Sequence, residues 1–216
     1  METEYDSKGN IVSIYEKQYG QKEGRCLTFY ENGNIHTISD YKNGIISGDY
    51  FEYDENNQLY RKLFFVKGKL VQVFLYNNKD GKLTNWAEYY YNNDGERIIN
   101  QWKEYDKDEN IIFDKSFFYT LNVSDTIINY GDSIKIDFKL NVNKKYADYL
   151  YVDIHNEEEK TQMIKFHSLD SSFFYSSLHK GNNDLLGYVL VFKELDNNPD
   201  SIKRSIHIFK KSIFVE

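Results

Sequence analysis

Five histidines, His36, His155, His167, His179 and His207, are the side chains best able to act as bases or metal ligands in this 216-residue chain. None belongs to an H-E-x-x-H pair, and the single Cys26 leaves no cysteine pair to complete a zinc site. His155 and His167 are spaced to face each other across a hairpin, but no third ligand can be placed beside them. The five are therefore expected as isolated surface or rim side chains. Asp106-Lys107-Asp108-Glu109-Asn110 opens like a calcium loop, then puts Ile111 where Gly is needed and Phe117 where a bidentate Glu is needed. A turn of a repeat explains that segment better. Glu157-Glu158-Glu159 reads as a solvated loop tip. A glycosidase pair needs two carboxyl groups about 5–10 Å apart in a cleft, and spacing alone cannot pick such a pair from 34 acids. There is no G-x-S-x-G elbow, P-loop or dinucleotide glycine fingerprint. No catalytic residue, metal ligand or cofactor is assigned. The remaining candidates are aromatic: Trp86, Tyr90 and Trp102, of the types that anchor protein interfaces.

Composition narrows the classes further. A net charge of −7 and a pI near 5.3 argue against nucleic acid as the partner, because such a binder carries a basic face. No run approaches the roughly 20 apolar residues of a membrane span. Met1-Glu2-Thr3-Glu4-Tyr5 lacks the basic start and apolar stretch of a signal peptide. The chain as written thus reads as cytoplasmic, with a periplasmic or cell-surface location as the alternative if a leader was removed. Cys26, within Arg25-Cys26-Leu27-Thr28-Phe29-Tyr30, reads as a small buried hydrophobe on a strand rather than a reactive thiol. Twenty Tyr and fifteen Phe suit pleated, half-buried surfaces.

The elements that must carry these residues repeat. Tyr30-Glu31-Asn32-Gly33-Asn34-Ile35 returns as Tyr53-Asp54-Glu55-Asn56-Asn57-Gln58-Leu59 and as Tyr76-Asn77-Asn78-Lys79-Asp80-Gly81-Lys82-Leu83, placing the tyrosines 23 residues apart. A second turn signal lies between them, Tyr41-Lys42-Asn43-Gly44-Ile45 and then Phe65-Val66-Lys67-Gly68-Lys69-Leu70. Two turn signals per unit, separated by short aromatic and β-branched runs, predict stacked β-hairpins. Strands are expected over 11–19, 26–30, 35–41, 49–53, 59–65 and 71–76. Val71, Val73 and Leu75 are expected on one apolar face. Beyond Tyr76 the tyrosine spacing shortens to Tyr91 and Tyr105, which predicts loss of the intermediate turn and longer strands. Asn57 and Asn110 are expected to replace Gly in their turns. The tyrosines are expected to stack on their equivalents in neighbouring units.

The pattern at residues 30–35 and 41–48 resembles the bacterial variant of the MORN repeat. The resemblance covers residues 5–112 and is strongest over 24–83. It implies an elongated, twisted antiparallel sheet with no common catalytic residue. Some bacterial members of that family are described as antitoxins or immunity proteins of toxin systems, which implies a protein partner.

From about Phe117 the pattern changes. Ile134, Ile136, Phe138 and Leu140 alternate with polar residues, and further strands are expected over 149–154, 163–166, 173–178, 186–195 and 206–214. Turns are expected at 141–143, 156–160, 180–184 and 196–200. About seven short strands without helical periodicity read as a β-sandwich. The opening at Asp125-Thr126-Ile127 and Gly131-Asp132, with the closing residues Ile208-Phe209 and Phe214-Val215, resembles immunoglobulin-like modules of bacterial envelope proteins. The expected architecture is all-β, a MORN-like hairpin-repeat domain over 1–116 followed by an immunoglobulin-like β-sandwich over 117–216. The expected function is non-enzymatic protein binding on the repeat sheet. The alternative is an envelope-associated glycan-binding protein or glycan hydrolase with a site between the two halves.

Overall fold

Asn-Gly and Asp-x-x-Gly sequences reverse the chain because their residues accept positive φ cheaply. In the computed structural model they do so between strands that are mostly eight or nine residues long. Backbone is described for residues 1–77, 79–142, 149–155, 162–166, 170–175, 178, 180–195 and 198–216. Side chains are described within 1–142 apart from Asn78, and at 172, 174, 178, 180–192 and 206–216. Among the described residues there is no α-helix and no helix long and apolar enough to cross a membrane. The chain divides into two compact units, residues 1–98 with 102–112, and residues 99–101 with 113–216.

The first unit is built on one antiparallel sheet whose strands follow in chain order. They are β1 (Glu2–Tyr5), β2 (Ile11–Gln18), β3 (Gln21–Phe29), β4 (Ile35–Lys42), β5 (Ile45–Tyr53), β6 (Leu59–Val66), β7 (Lys69–Tyr76), β8 (Leu83–Tyr91) and β9 (Arg97–Glu104). Two kinds of turn alternate. Along one edge the pairs Tyr19-Gly20, Asn43-Gly44 and Lys67-Gly68 all have positive φ, the signature of two-residue type I′ hairpins. Along the other, five-residue turns close in a fixed pattern. Asp6 N–H donates to the Asn10 carbonyl at 2.9 Å and Gly9 N–H to the Asp6 carbonyl at 3.1 Å. The same pair of bonds recurs at 30–34, 54–58 and 106–110.

These turns correct the register read from the tyrosines. The type I′ glycines fall at 20, 44 and 68, so this part of the fold repeats every 24 residues. Tyr30 is the first residue of its turn, whereas Tyr53 precedes Asp54, the first residue of the next. Tyr30 and Tyr53 therefore do not stack as equivalents, whereas Tyr76, which precedes Asn77, sits as Tyr53 does. The Tyr30 hydroxyl donates to the Tyr53 carbonyl at 2.7 Å, and its ring packs on His36 with centroids 4.4 Å apart. Nor do the later strands lengthen: β8 and β9 have nine and eight residues. The intermediate turn is replaced, not lost, because residues 92–96 form a five-residue turn where a two-residue turn stood before. At the last turn Glu109, not Asn110, has the positive φ, whereas Asn57 holds the position expected of it.

The second unit contains two sheets. β10 (Phe118–Val123), β12 (Ile134–Asn141) and β15 (Asp170–Tyr175) form one, in the order β10-β12-β15. β11 (Ile127–Ile128), β13 (Tyr149–His155), β14 (Gln162–Phe166), β16 (Gly181–Leu195) and β17 (Asn198–Val215) form the other, in the order β11-β17-β16-β13-β14. The alternation seen in sequence sets the core, with Ile134, Ile136, Phe138 and Leu140 all buried. Phe138 of the first sheet meets Phe209 of the second at 6.5 Å between centroids, and Tyr119 lies 5.7 Å from Phe138. The long β16–β17 hairpin differs from expectation. Its strands run through 181–184 and 198–200, where turns were expected. Polar pairs extend it at the 181–184 end, since Asp184 accepts a hydrogen bond from Ser212 at 2.7 Å and pairs with Lys210 at 2.5 Å. The expected turn at 156–160, with Glu157, Glu158 and Glu159, lies outside the described residues.

Residues 99–101 are clasped by side chains of this unit. The Asn100 amide copies a strand pairing, donating from Nδ2 to the Ile208 carbonyl at 2.8 Å and accepting from Ile208 N–H at 2.7 Å. Gln101 Oε1 accepts the Tyr119 N–H at 3.0 Å. His207 is buried, with Nδ1 donating to the Asn100 carbonyl at 2.6 Å and its ring 4.1 Å from that of Phe117. This corrects the expectation of a surface histidine. Burial lowers its pKa to about 4, against the opposing pull of its hydrogen bond to Asn100.

Two outcomes are expected. Because His207 titrates near 4 when folded and near 6.5 when unfolded, its stabilising contribution is complete above pH 6.5 and is lost as the pH falls toward 4. Denaturant midpoints measured across that window should reveal a loss on the order of 3 kcal/mol, largely absent in His207→Gln. A methyl group at Gly187 would overlap the Phe209 ring. Gly187→Ala should therefore cost about 2 kcal/mol or more, and Phe209→Leu in the same chain should recover part of it.

Candidate functional site

Opposed residues of an antiparallel ladder point to the same face, so the strand register sorts the side chains of the nine-stranded sheet. Two rows share one face. The first runs Glu2, Tyr15, Cys26, Ser39, Tyr50, Leu63, Val73 and Ala87, and the second runs Glu4, Ser13, Thr28, Thr37, Glu52, Arg61, Leu75 and Asn85. This face is small, polar and internally satisfied. Ser13, Tyr15, Cys26, Thr37, Ser39, Glu52 and Leu63 are all buried on it. Glu4 accepts hydrogen bonds from Ser13 at 2.6 Å and Tyr15 at 2.7 Å, which hold its carboxyl below the usual range and push the Tyr15 phenol up. Thr28 and Thr37 share a bond of 2.7 Å. Val73 and Leu75 do share a face, as alternation demands, but it is this polar one.

Glu52 is the most elaborated group here. Its Oε2 receives Arg61 through Nε at 2.7 Å and also through Nη2, and its Oε1 lies 3.8 Å from His36 Nε2. Burial, then a hydrogen bond to Glu52, raises the phenol of Tyr60. Sequence reading missed this cluster, because register alone brings Glu52 opposite Arg61. His36 is accordingly not isolated. Both hydrogen bonds from the guanidinium fall on Oε2, a charge-assisted pairing that fixes the carboxylate in place.

The opposite face carries a different row: Thr3, Ile14, Leu27, Ile38, Phe51, Lys62, Phe74 and Trp86. Every member from Ile14 to Trp86 is half-buried. Lys62 interrupts it. Its Nζ lies 5.2 Å from the Phe51 ring and 5.8 Å from the Phe74 ring, and 3.1 Å from Asp49. The amine is thus folded back over two aromatic faces, so the apolar row stays nearly continuous.

The sequence candidates fall as follows. Trp86 ends the apolar row and is overlain by Lys103 Nζ at 4.9 Å from its ring; burial lowers the Lys103 pKa. Tyr90 lies four residues further along β8, on the same face by alternation, and is half-buried. Trp102, on β9, is also half-buried. Neither Trp is a core residue. Cys26 is buried as expected, with Lys22 Nζ 3.9 Å from its sulfur. The calcium-like segment is a repeat turn: Asp106 Oδ1 accepts the N–H groups of Asp108 at 2.8 Å and Asn110 at 2.9 Å, which lowers the Asp106 pKa. The side chain of His155, and His167 and His179 altogether, lie outside the described residues.

No family model, no curated protein and no solved structure matches this chain.

Proposed function

We propose that this chain is a non-enzymatic protein-binding protein of the bacterial MORN-like kind, of the antitoxin or immunity type, with its partner lying along the Ile14-to-Trp86 row. The contrast between the two faces carries this reading. One face satisfies its own polar groups, while the other leaves a cross-strand apolar row half-exposed across seven strands. Apolar surface of that extent, rimmed by charged residues, is what interfaces are made from. Trp86 and Tyr90 are its anchors, with Trp102 on the neighbouring β9 as a third candidate. The consecutive hairpins, with type I′ and five-residue turns in alternation, support the MORN-like assignment. The two sheets meeting at Phe138 and Phe209 support an immunoglobulin-like module in the second half.

The glycan-binding or glycan-hydrolysing alternative has less support. Sugars stack on an open aromatic face, and Lys103 occupies one face of Trp86. Glu52, the buried acid of the repeat sheet, is committed to Arg61.

The partner to try first is the product of the adjacent gene, measured by titration calorimetry against the purified chain. Trp86→Ala and Tyr90→Ala should each weaken binding about 10- to 100-fold, in the range of interface anchors. Their unfolding midpoints should stay within a few degrees of the parent. Unchanged affinity in both variants would remove the row from the interface, and unfolding would make these residues structural. Trp102→Ala tests whether β9 belongs to the same surface.

A further inference from the structure

The two turn edges of the nine-stranded sheet differ in charge, with a lysine cluster on part of one and mostly carboxylates on the other. At the type I′ edge, Lys42, Lys67 and Lys69 stand on two adjacent tips whose segments, 42–45 and 66–69, contain no acid, although Glu23 Oε2 accepts the Asn43 N–H at 2.7 Å, Lys69 Nζ lies 4.8 Å from the Tyr91 ring, and the 92–96 turn that closes this edge carries Asp94 and Glu96. Gly68 N–H donates to the Ile46 carbonyl at 2.9 Å, so these tips sit directly against one another. Lys17, at the preceding tip, is already paired with Glu2 at 2.8 Å and adds less. Three apolar side chains stand among the lysines: Tyr19, Ile45 and Val66, which are 96%, 51% and 45% exposed. Tyr19 also has a φ of 51°, a left-handed conformation that a bulky residue adopts at a cost and that Asn or Gly would adopt freely. An exposed aromatic held in a strained turn marks the tip as more than a connection.

The turns of the opposite edge, five residues long at 6–10, 30–34, 54–58 and 106–110 and six at 77–82, hold eight carboxylates against four lysines. Glu55, Asp80 and Asp108 stand on three successive turns. Half-buried tyrosines open or precede these turns, Tyr30, Tyr53 and Tyr76 among them. Each edge thus offers charge together with apolar contact, and the lysine tips of the one are opposite in sign to the turns of the other. Because the same strands build both edges, the tips of each recur at the same interval, about 10 Å for every two strands.

We propose that the basic type I′ edge of one copy docks on the acidic five-residue-turn edge of a second copy. Lysines 42, 67 and 69 meet the carboxylates of successive turns, and Tyr19, Ile45 and Val66 meet the tyrosines beside them. Such a contact joins different surfaces of the two partners, so it propagates head to tail instead of closing a dimer. The net charge of −7 opposes approach at long range, which keeps the assembly weak and dependent on concentration and salt.

Sedimentation velocity over a concentration series tests this with the whole chain. Growth of the weight-average mass is expected at about 50 mM salt, and its loss at about 0.5 M. K42E/K67E/K69E and E55K/D80K/D108K should each remain monomeric alone yet assemble when mixed, which a general charge effect would not produce. Tyr19→Asn should raise the unfolding midpoint and weaken assembly several-fold. Circular dichroism checks that every variant is folded. The proposal fails if the parent chain stays monomeric throughout, or if K42E/K67E/K69E assembles as the parent does. It also fails if the mixed variants stay apart, or if the monomeric parent pellets with phosphatidylserine vesicles instead.

Discussion

A backbone amide that a type I′ turn leaves unused finds its acceptor one unit back, and the regularity of the repeat sheet follows from that bond. Gly44 N–H donates to the Lys22 carbonyl at 2.8 Å, and Gly68 N–H to the Ile46 carbonyl at 2.9 Å. An isolated hairpin is marginal in water, and strand pairing alone tolerates slippage. A turn that must land on the preceding turn does not. Gly68 shows how close the landing is, since a methyl there would come within 3.1 Å of Ile45 Cγ2. The bond also fixes strand length, because one extra residue would carry the amide past its carbonyl. The other edge adds bonds of similar reach, with Asn32 and Asn34 both donating to the Glu55 carbonyl at 3.1 and 2.7 Å.

Much of this was legible in the sequence because turn chemistry is local. Asn43-Gly44, Lys67-Gly68 and Asp54-Glu55-Asn56-Asn57 announce reversals without reference to anything distant, and the strands between them follow. The 24-residue period was harder to see, because tyrosine is a prominent letter that occupies two different places, inside the turn at Tyr30 and before it at Tyr53. Glu109 at positive φ could not be anticipated from propensity. It is tolerated where its Oε1 accepts the Leu83 N–H at 3.0 Å, a contact 26 residues away in sequence. Face assignment failed for a related reason. Alternation says which residues share a face but not what else lies on it, so Val73 and Leu75 share a face as expected, yet most of the residues opposite them in the register are polar. The Glu52–Arg61 pair and the clasp of Asn100 on Ile208 depend wholly on register and tertiary contact.

The candidate surface was legible only in part. Trp86 and Tyr90 stood out by type, yet the row they complete is assembled from β2, β3, β4, β5, β6 and β7, one residue from each. Ile14, Leu27, Ile38, Phe51 and Phe74 are unremarkable singly, and only pairing turns them into a line. Linear sequence spaces these residues irregularly, because two-residue and five-residue turns alternate between the strands.

The charge placed within that line bears on how such a surface can exist. Apolar rows on flat sheets favour indiscriminate stacking, and proteins commonly interrupt them with charge, lysine above all. Lys62 stands at the middle of the row and cannot be buried by a casual apolar neighbour without losing water from its amine. Asp49 at 3.1 Å and the rings of Phe51 and Phe74 hold that amine close to the sheet. A partner supplying an acceptor at this point would keep the lysine satisfied and gain the aromatic contacts on either side. A surface lacking that acceptor would bury an incompletely paired charge, at a cost of several kcal/mol. On the interface proposed above, this one lysine would separate the right occupant from the wrong ones and let the sheet leave its apolar row open.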